Sequence, residues 1–226
     1  MSLFHLDWFV CQDGYRLEER SGPWRARLVT TGKCARLVIA PNSDAWFPSK
    51  PLDIPGLYRE FCDCDLHGPE GLLRFIQYNG LLFRAKAAKE EFDDVIEHVL
   101  GMRRLLAAID RRDWRSIADA LTRPNQGSIF PSGGIGRLGI LFDISKKDGA
   151  PPSVKLQPAS LADALQVQAL ADASLGVMHK KCKNPECAHY FPLSGPNALR
   201  RGAEYHSTEC RLRHRYVDWK QRRSKK

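Results

Sequence analysis

The chain has 226 residues, 43% of them hydrophobic, and a formal net charge of +9. That length suits one ordinary domain plus a small module, and no run of about 18 apolar residues offers a transmembrane helix. The N-terminus, Met1-Ser-Leu-Phe-His-Leu-Asp-Trp8, lacks the basic and apolar regions of a signal peptide, so a cytoplasmic protein with its seven cysteines reduced is expected.

Residues 1–48 read as β-rich. Trp24 to Ala40 alternates, and Thr31-Gly32-Lys33 predicts a hairpin turn between two strands. Pro41, Pro48, Pro51 and Pro55 then predict a loop without regular structure. Leu57 to Cys62 gives one or two amphipathic helical turns. Pro69 can open another helix, carrying Leu72, Leu73, Phe75 and Ile76 and ending by Asn79-Gly80. Between them lies Cys62-x-Cys64-x-x-His67. With three candidate ligands in six residues and no evident fourth, it reads as structural thiols before metal or redox chemistry.

Phe92, Val95, Ile96, Val99, Met102, Leu105, Leu106 and Ile109 recur at three and four, the period of a helix within 88–122. Glu90, Glu91, Asp93 and Asp94 would form its solvated acidic first turn, and Arg103 and Arg104 its basic end, which suits the helix dipole. A break near Asp110-Arg-Arg-Asp113 separates off a second helix carrying Trp114, Ile117 and Leu121. Residues 123–157 return to loop and β. Gly133-Gly134-Ile135-Gly136 lacks the Lys-Ser/Thr and the helix of a phosphate-binding loop. Leu138 to Ile144 and Ser153 to Leu156 predict a hairpin around Lys146-Lys-Asp-Gly149. Residues 160–177 predict an amphipathic helix capped by Ser160, with Asp163 in a capping-box-like place. The short exit at Gly176 and Lys180-Lys181 leaves room for a docked module and not a tethered one.

That module is the chemically informative stretch. Cys182-Lys-Asn-Pro-Glu-Cys187 is followed, after eighteen residues, by His206-Ser-Thr-Glu-Cys210. Two short-spaced pairs with such a gap are the sequence form of a four-ligand structural zinc site, since each pair sits on a local turn and the gap folds back. Cys182, Cys187, His206 and Cys210 are therefore the candidate ligands of one Zn2+. Lys180, Lys181 and Lys183 flank the first cysteine and favour a thiolate. Ser207 predicts the N-cap of a last helix, which would put Cys210 in its first turn. A pair on a turn and a pair at a helix start is the logic of a treble-clef-like or zinc-ribbon-like finger. The fold class expected is α+β: a mixed body over 1–178 and a finger over 179–226.

The same stretch carries a resemblance. Cys182-Lys-Asn-Pro-Glu-Cys187, Tyr190-Phe191, Arg200-Arg201 and Tyr205-His206-Ser207-Thr208-Glu209-Cys210-Arg211 together resemble the CGNR-type zinc fingers of bacterial proteins. In those proteins the finger follows a helical ABATE-type domain. The resemblance covers roughly the last 65 residues and implies a DNA-binding transcription regulator. His206 stands where the pattern has cysteine, Arg211-Leu212-Arg213 follows Cys210 in place of Gly-Asn-Arg, and the last spacing is one residue shorter.

Charge points the same way. Residues 179–226 hold 13 Lys and Arg against 4 Asp and Glu, whereas residues 1–178 hold 22 of each. A neutral body with a basic terminal module suggests a polyanion partner. On a helix starting near Cys210, Arg211, Arg215 and Arg222 share an arc of about 40°. Arg213 and Lys220 lie on the other flank, and Arg200 and Arg201 precede the helix. These seven are the candidate nucleic-acid contacts, with DNA favoured over RNA. Leu212, Tyr216 and Trp219 form an apolar stripe expected to pack on the body. The body is expected to sense or dimerise, and no membrane partner is expected. A protein-interaction module built on a rigid finger is the alternative. An enzyme is not expected, because no nucleophile–base pair emerges and four protein ligands close a zinc.

Overall fold

The computed structural model describes residues 6, 8–20, 36–83, 89–122, 138–143, 153–195, 198–200 and 202–224. The fold is α+β, with small antiparallel sheets and six helices among the described residues. Strand β1 (Trp8–Cys11) and strand β2 (Tyr15–Arg20) flank a turn at Gly14. Strand β3 (Arg36–Pro41) pairs antiparallel with β2 along its whole length, Tyr15 opposite Pro41 and Arg20 opposite Arg36. The turn expected at Thr31–Lys33 lies outside the described residues. β3 finds its partner in β2, upstream of the residues that were expected to pair with it.

The proline-rich stretch is not a plain loop. Strand β4 (Trp46–Ser49) pairs with β1, Pro48 facing Phe9, and a 3-10 turn follows at Pro51–Asp53. A proline is tolerated where its missing N–H faces away from the one partner strand, as in this two-stranded sheet.

Helix α1 (Leu57–Cys62) and helix α2 (Glu70–Asn79) form where the apolar spacing predicts them. α2 stops at Gly80, whose φ of 88° closes the turn and whose missing Cβ lets the Phe9 carbonyl approach. The acidic run then divides. Strand β5 (Glu90–Glu91) joins β3, and helix α3 (Phe92–Asp110) starts after it, so only Asp93 and Asp94 lie in the first turn. Glu90 is not a solvated helix start. It is 4% exposed and accepts the backbone N–H groups of Leu82 (2.8 Å) and Phe83 (2.5 Å). Nor do Arg103 and Arg104 reach the last turn of α3. The Arg103 guanidinium donates to the carbonyls of Cys62 (2.7 Å) and Cys64 (2.6 Å), satisfying the open end of α1. The Cys62 and Cys64 thiols are buried, and burial pushes both up to about 12, as structural thiols require.

Helix α4 (Trp114–Thr122) begins after a break at Arg112, and Asp113 caps it through the Ser116 N–H. Strand β6 (Leu138–Asp143) pairs with strand β7 (Ser153–Pro158), as the alternation predicts. The connecting Lys146 turn and the Gly133–Gly136 stretch lie outside the described residues. Helix α5 (Leu161–Ser174) is capped by Ser160, which accepts the Asp163 N–H and donates to its carboxylate.

The core gathers β1–β3, α1–α3 and α5 around Val10, Ile39, Phe61, Ile76, Leu105 and Leu161. Each such side chain contributes about 1.5–3 kcal/mol through burial. His98 stands among them, 1% exposed and between the rings of Phe61 and Phe83, with neither ring nitrogen in a well-formed hydrogen bond and only a weak contact to the Ala162 backbone. Burial lowers its pKa to about 4. The unfolded chain therefore takes up a proton near pH 6.5 that the fold refuses, so stability falls as pH drops from about 6.5 to about 4, by roughly 3 kcal/mol. His98→Leu should abolish that part of the acid-side slope and raise stability at neutral pH by about 1 kcal/mol or more, because it removes poorly paired buried polar atoms. Urea melts at pH 7.5, 5.5 and 4.5 check both.

Beyond α5 the chain turns at Gly176 into strand β8 (His179–Lys181), which pairs with strand β9 (Tyr190–Pro192), and then runs to helix α6 (Thr208–Ser224). A hairpin followed by a helix, each holding one ligand pair, is the treble-clef-like form of the finger. A zinc ribbon would place the second pair on another hairpin.

Candidate metal centre and the helix beside it

The tip between β8 and β9 is a tight knuckle. The Cys182 N–H bonds the His189 carbonyl (3.0 Å), and the Cys187 N–H bonds the Asn184 carbonyl (2.9 Å). Asn184 is 2% exposed, and its side-chain oxygen accepts the Glu186 N–H. Pro185 then completes the turn that brings Cys182 and Cys187 together. The second pair is set by the start of α6. Ser207 accepts the Cys210 N–H at 3.2 Å, the N-cap that the sequence predicts. Two further bonds tie the halves of the finger. The Lys183 N–H meets the Glu204 carbonyl at 2.9 Å, and the Lys183 ammonium meets the Glu204 carboxylate at 2.9 Å.

The result is one cluster: the ligand atoms of Cys182, Cys187, His206 and Cys210 all lie within 4.8 Å of one another. A tetrahedral ion with thiolate sulfur at about 2.3 Å and imidazole nitrogen at about 2.0 Å sets its donors roughly 3.5 Å apart. Cys187 Sγ and His206 Nδ1 already stand at 3.4 Å. The donor set fits a closed, four-coordinate metal ion, and a small contraction suffices. Cys182 and Cys210 are buried, and Cys187 and His206 are partly so. Burial pushes the Cys187 thiol up to about 12, with the neighbouring sulfurs adding to it. Burial opposes ionisation of Cys210 too, but hydrogen bonds from Asn184, Cys187, Ser207 and Cys182 outweigh it and hold that thiol below its ordinary value. His206 is lowered by burial and by His189 beside it, so it offers a neutral imidazole. Three close thiols resist ionising together, and a bound dication removes that resistance.

The flanking lysines are engaged elsewhere. Lys181 pairs with Asp63 at 2.6 Å, Lys183 pairs with Glu204, and Lys180 donates to the Ala203 carbonyl at 3.0 Å. Their positions serve the finger's structure and its attachment.

The attachment is the part least visible in the sequence. Glu60 accepts from His189 (2.8 Å) and Asp63 from the Tyr190 hydroxyl (2.7 Å), so α1 holds the hairpin. His179 packs edge-on to Tyr58 and lies 3.5 Å from Asp172. Gly56 makes this possible. Its φ is +70°, and a Cβ there would stand 2.9 Å from both His179 and Tyr190. Motif reading misses Asn184, which shapes the knuckle, and Glu60, Asp63 and Gly56, which attach the hairpin; the Asn184-Pro185 dipeptide is a turn signal that could have found the first.

No family model, curated protein or solved structure matches the chain. The site stands on its own geometry.

α6 places its residues as the helical period predicts. Cys210 is buried, and His214 and Val217 are half-buried on the same side, where His214 Nδ1 meets the Tyr205 hydroxyl at 2.9 Å. Arg211, Arg213, Arg215, Lys220, Arg222 and Arg200 are exposed; Arg201 lies outside the described residues. Arg213 pairs with Glu209 at 2.8 Å, whereas Arg211, Arg215 and Arg222 make no ion pair to a described residue. The apolar stripe departs from expectation. Leu212, Tyr216 and Trp219 are 57%, 61% and 51% exposed and do not pack into the described core of the body. The finger is fixed by its hairpin on α1, and that docking turns this face of α6 outward.

Proposed function

We propose that this is a zinc-binding, nucleic-acid-binding protein of the DNA-binding regulator kind, in which one structural zinc folds the finger and α6 is the binding element. The observation that carries the reading is the placement of charge. All of the net +9 lies in residues 179–226, and α6 exposes its arginines next to the Cys3His cluster. Three thiolates and one imidazole are a donor set that favours zinc over hard cations. The resemblance of residues 182–211 to CGNR-type fingers supports the regulator reading, and the absence of a long apolar helix among the described residues is compatible with a cytoplasmic protein.

The test is to neutralise Arg211, Arg215 and Arg222 with glutamine. Each lost phosphate contact should lower the salt slope of duplex-DNA affinity by about 0.9, or roughly 2.7 for the triple variant. Folding stability should barely move, since exposed arginines contribute little. Lys146→Gln with Lys147→Gln is the control and should matter less. Titrations at 50 and 200 mM salt read the slopes. A triple variant that binds DNA and RNA as tightly as the wild type would end the polyanion reading and favour a protein-docking finger.

A further inference from the structure

Leu212, Tyr216, Trp219 and Arg223 follow one another along α6 at steps of four, three and four. At about 100° per residue they fall in a stripe roughly 60° wide. Trp219 is its centre. The Tyr216 ring lies 6.0 Å away in a stacked arrangement tilted by 30°, and the Arg223 guanidinium lies 4.8 Å from the indole centroid. This prearranged π ladder faces solvent. Arg211, Arg215 and Arg222 border it on one side, and Arg213 and Lys220 on the other. In all, α6 holds six Lys and Arg against two Asp and Glu.

The stripe has three conceivable occupants. A second α6 would meet it at coiled-coil spacing, but each helix brings four net positive charges to the same contact, and like charges repel. A lipid surface suits the charge, yet interfacial helices insert a broad apolar face, and here there are three large apolar side chains. A single nucleic-acid strand matches both components, its phosphates meeting the flanking cations and its bases stacking on the ladder. In a duplex the base faces are occupied by their neighbours, so only an unpaired segment can use Tyr216 and Trp219 this way.

We infer that α6 is a binding surface for single-stranded nucleic acid, with unpaired bases stacking on Tyr216 and Trp219 between two rows of arginine and lysine. This rests on the nucleic-acid reading above and names the form of strand that the helix prefers.

The experiment uses the full metal-loaded chain and a labelled single strand of about 20 nucleotides, beside the duplex made from it. Tyr216→Leu and Trp219→Leu should each weaken single-strand binding about five- to a hundredfold with the salt slope unchanged. Duplex affinity should stay within about twofold, and Tyr216→Phe and Trp219→Phe should retain single-strand binding. Both Leu variants should keep wild-type metal content and helicity, because the side chains are exposed. Leucine variants that bind the single strand as tightly as wild type overturn the inference and leave the nucleic-acid reading standing. Wild-type protein that binds neither strand nor duplex removes both. Two further outcomes also overturn it: leucine variants that lose binding only to phosphatidylserine vesicles, and variants that only convert a wild-type dimer to monomer.

Discussion

Cys187→Ser is expected to release the metal ion and unfold the finger while the body remains folded. The finger has almost no core of its own. Among the described residues from 179 onward, the buried apolar side chains are Cys182, Phe191, Pro192 and Cys210, and two of these are ligands. Burying Phe191 contributes about 2–3 kcal/mol, far below the conformational entropy of ordering some 45 residues. Structural zinc in finger peptides supplies about 10–16 kcal/mol at neutral pH, which is the size of term required. The wild-type chain should carry one zinc, and the variant close to none. Its residues beyond about 180 should become protease-sensitive, and the main thermal transition should persist. A chelator should reproduce the result. So should acid, because protons compete for thiolate and imidazole, and metal is lost as pH falls. A serine variant that retains zinc and a protected α6 would show that the finger is held by packing.

Local signals carried the helices and the ligand pairs. The apolar period placed α1 and α2 almost to the residue and found α3 and α5, though α3 begins at Phe92 and not at 88, and α5 ends at Ser174 and not at 177; Ser160, Ser207 and Gly80 marked ends of α5, α6 and α2 through capping chemistry that is itself local. The cluster was legible for the same reason, since C-x4-C and H-x3-C each describe one turn. What failed depended on contacts distant in sequence. Glu90 and Glu91 read as a solvated helix start, but β5 needs β3, some fifty residues upstream. Pro48 suggested a loop, because an edge strand that tolerates proline is defined only by its partner β1. Leu212, Tyr216 and Trp219 read as a packing face, and only the docking of the hairpin on α1 decides that they face outward. The direction in which a small module is turned has no local signature.

Phe61→Ala is expected to do the reverse of the cysteine variant, weakening the body and sparing the metal centre. Phe61 is fully buried, with its ring 5.0 Å from that of Phe75 and 5.7 Å from that of His98. Truncation leaves a cavity that α1, pinned by Arg103 at its end, is poorly placed to close. The cost of such a change is about 3–5 kcal/mol, a large part of a typical stability of about 5–15 kcal/mol. For a chain of this size the main melting transition should fall by roughly 6–20 °C. Zinc content at 20 °C should remain at one per chain. The reason lies in the joint. Phe61 is enclosed by body residues, and among the described residues the core cluster it belongs to ends at Ala169, with Leu170 packed against it. What links α1 to the finger is Glu60 with His189, Asp63 with Lys181 and Tyr190, and the buried edge-on contact of Tyr58 with His179. Lys181 with Asp63 is an exposed pair worth about 1 kcal/mol or less, and the bond from His189, itself half-exposed, is of similar size. The Tyr58–His179 ring pair adds about 0.5–1.5 kcal/mol, and the sum stays well below what the metal contributes to the finger. Scanning calorimetry with parallel zinc release should therefore separate two events, each moved by its own variant. Simultaneous loss of zinc and body structure in Phe61→Ala would instead make α1 and the finger one cooperative unit.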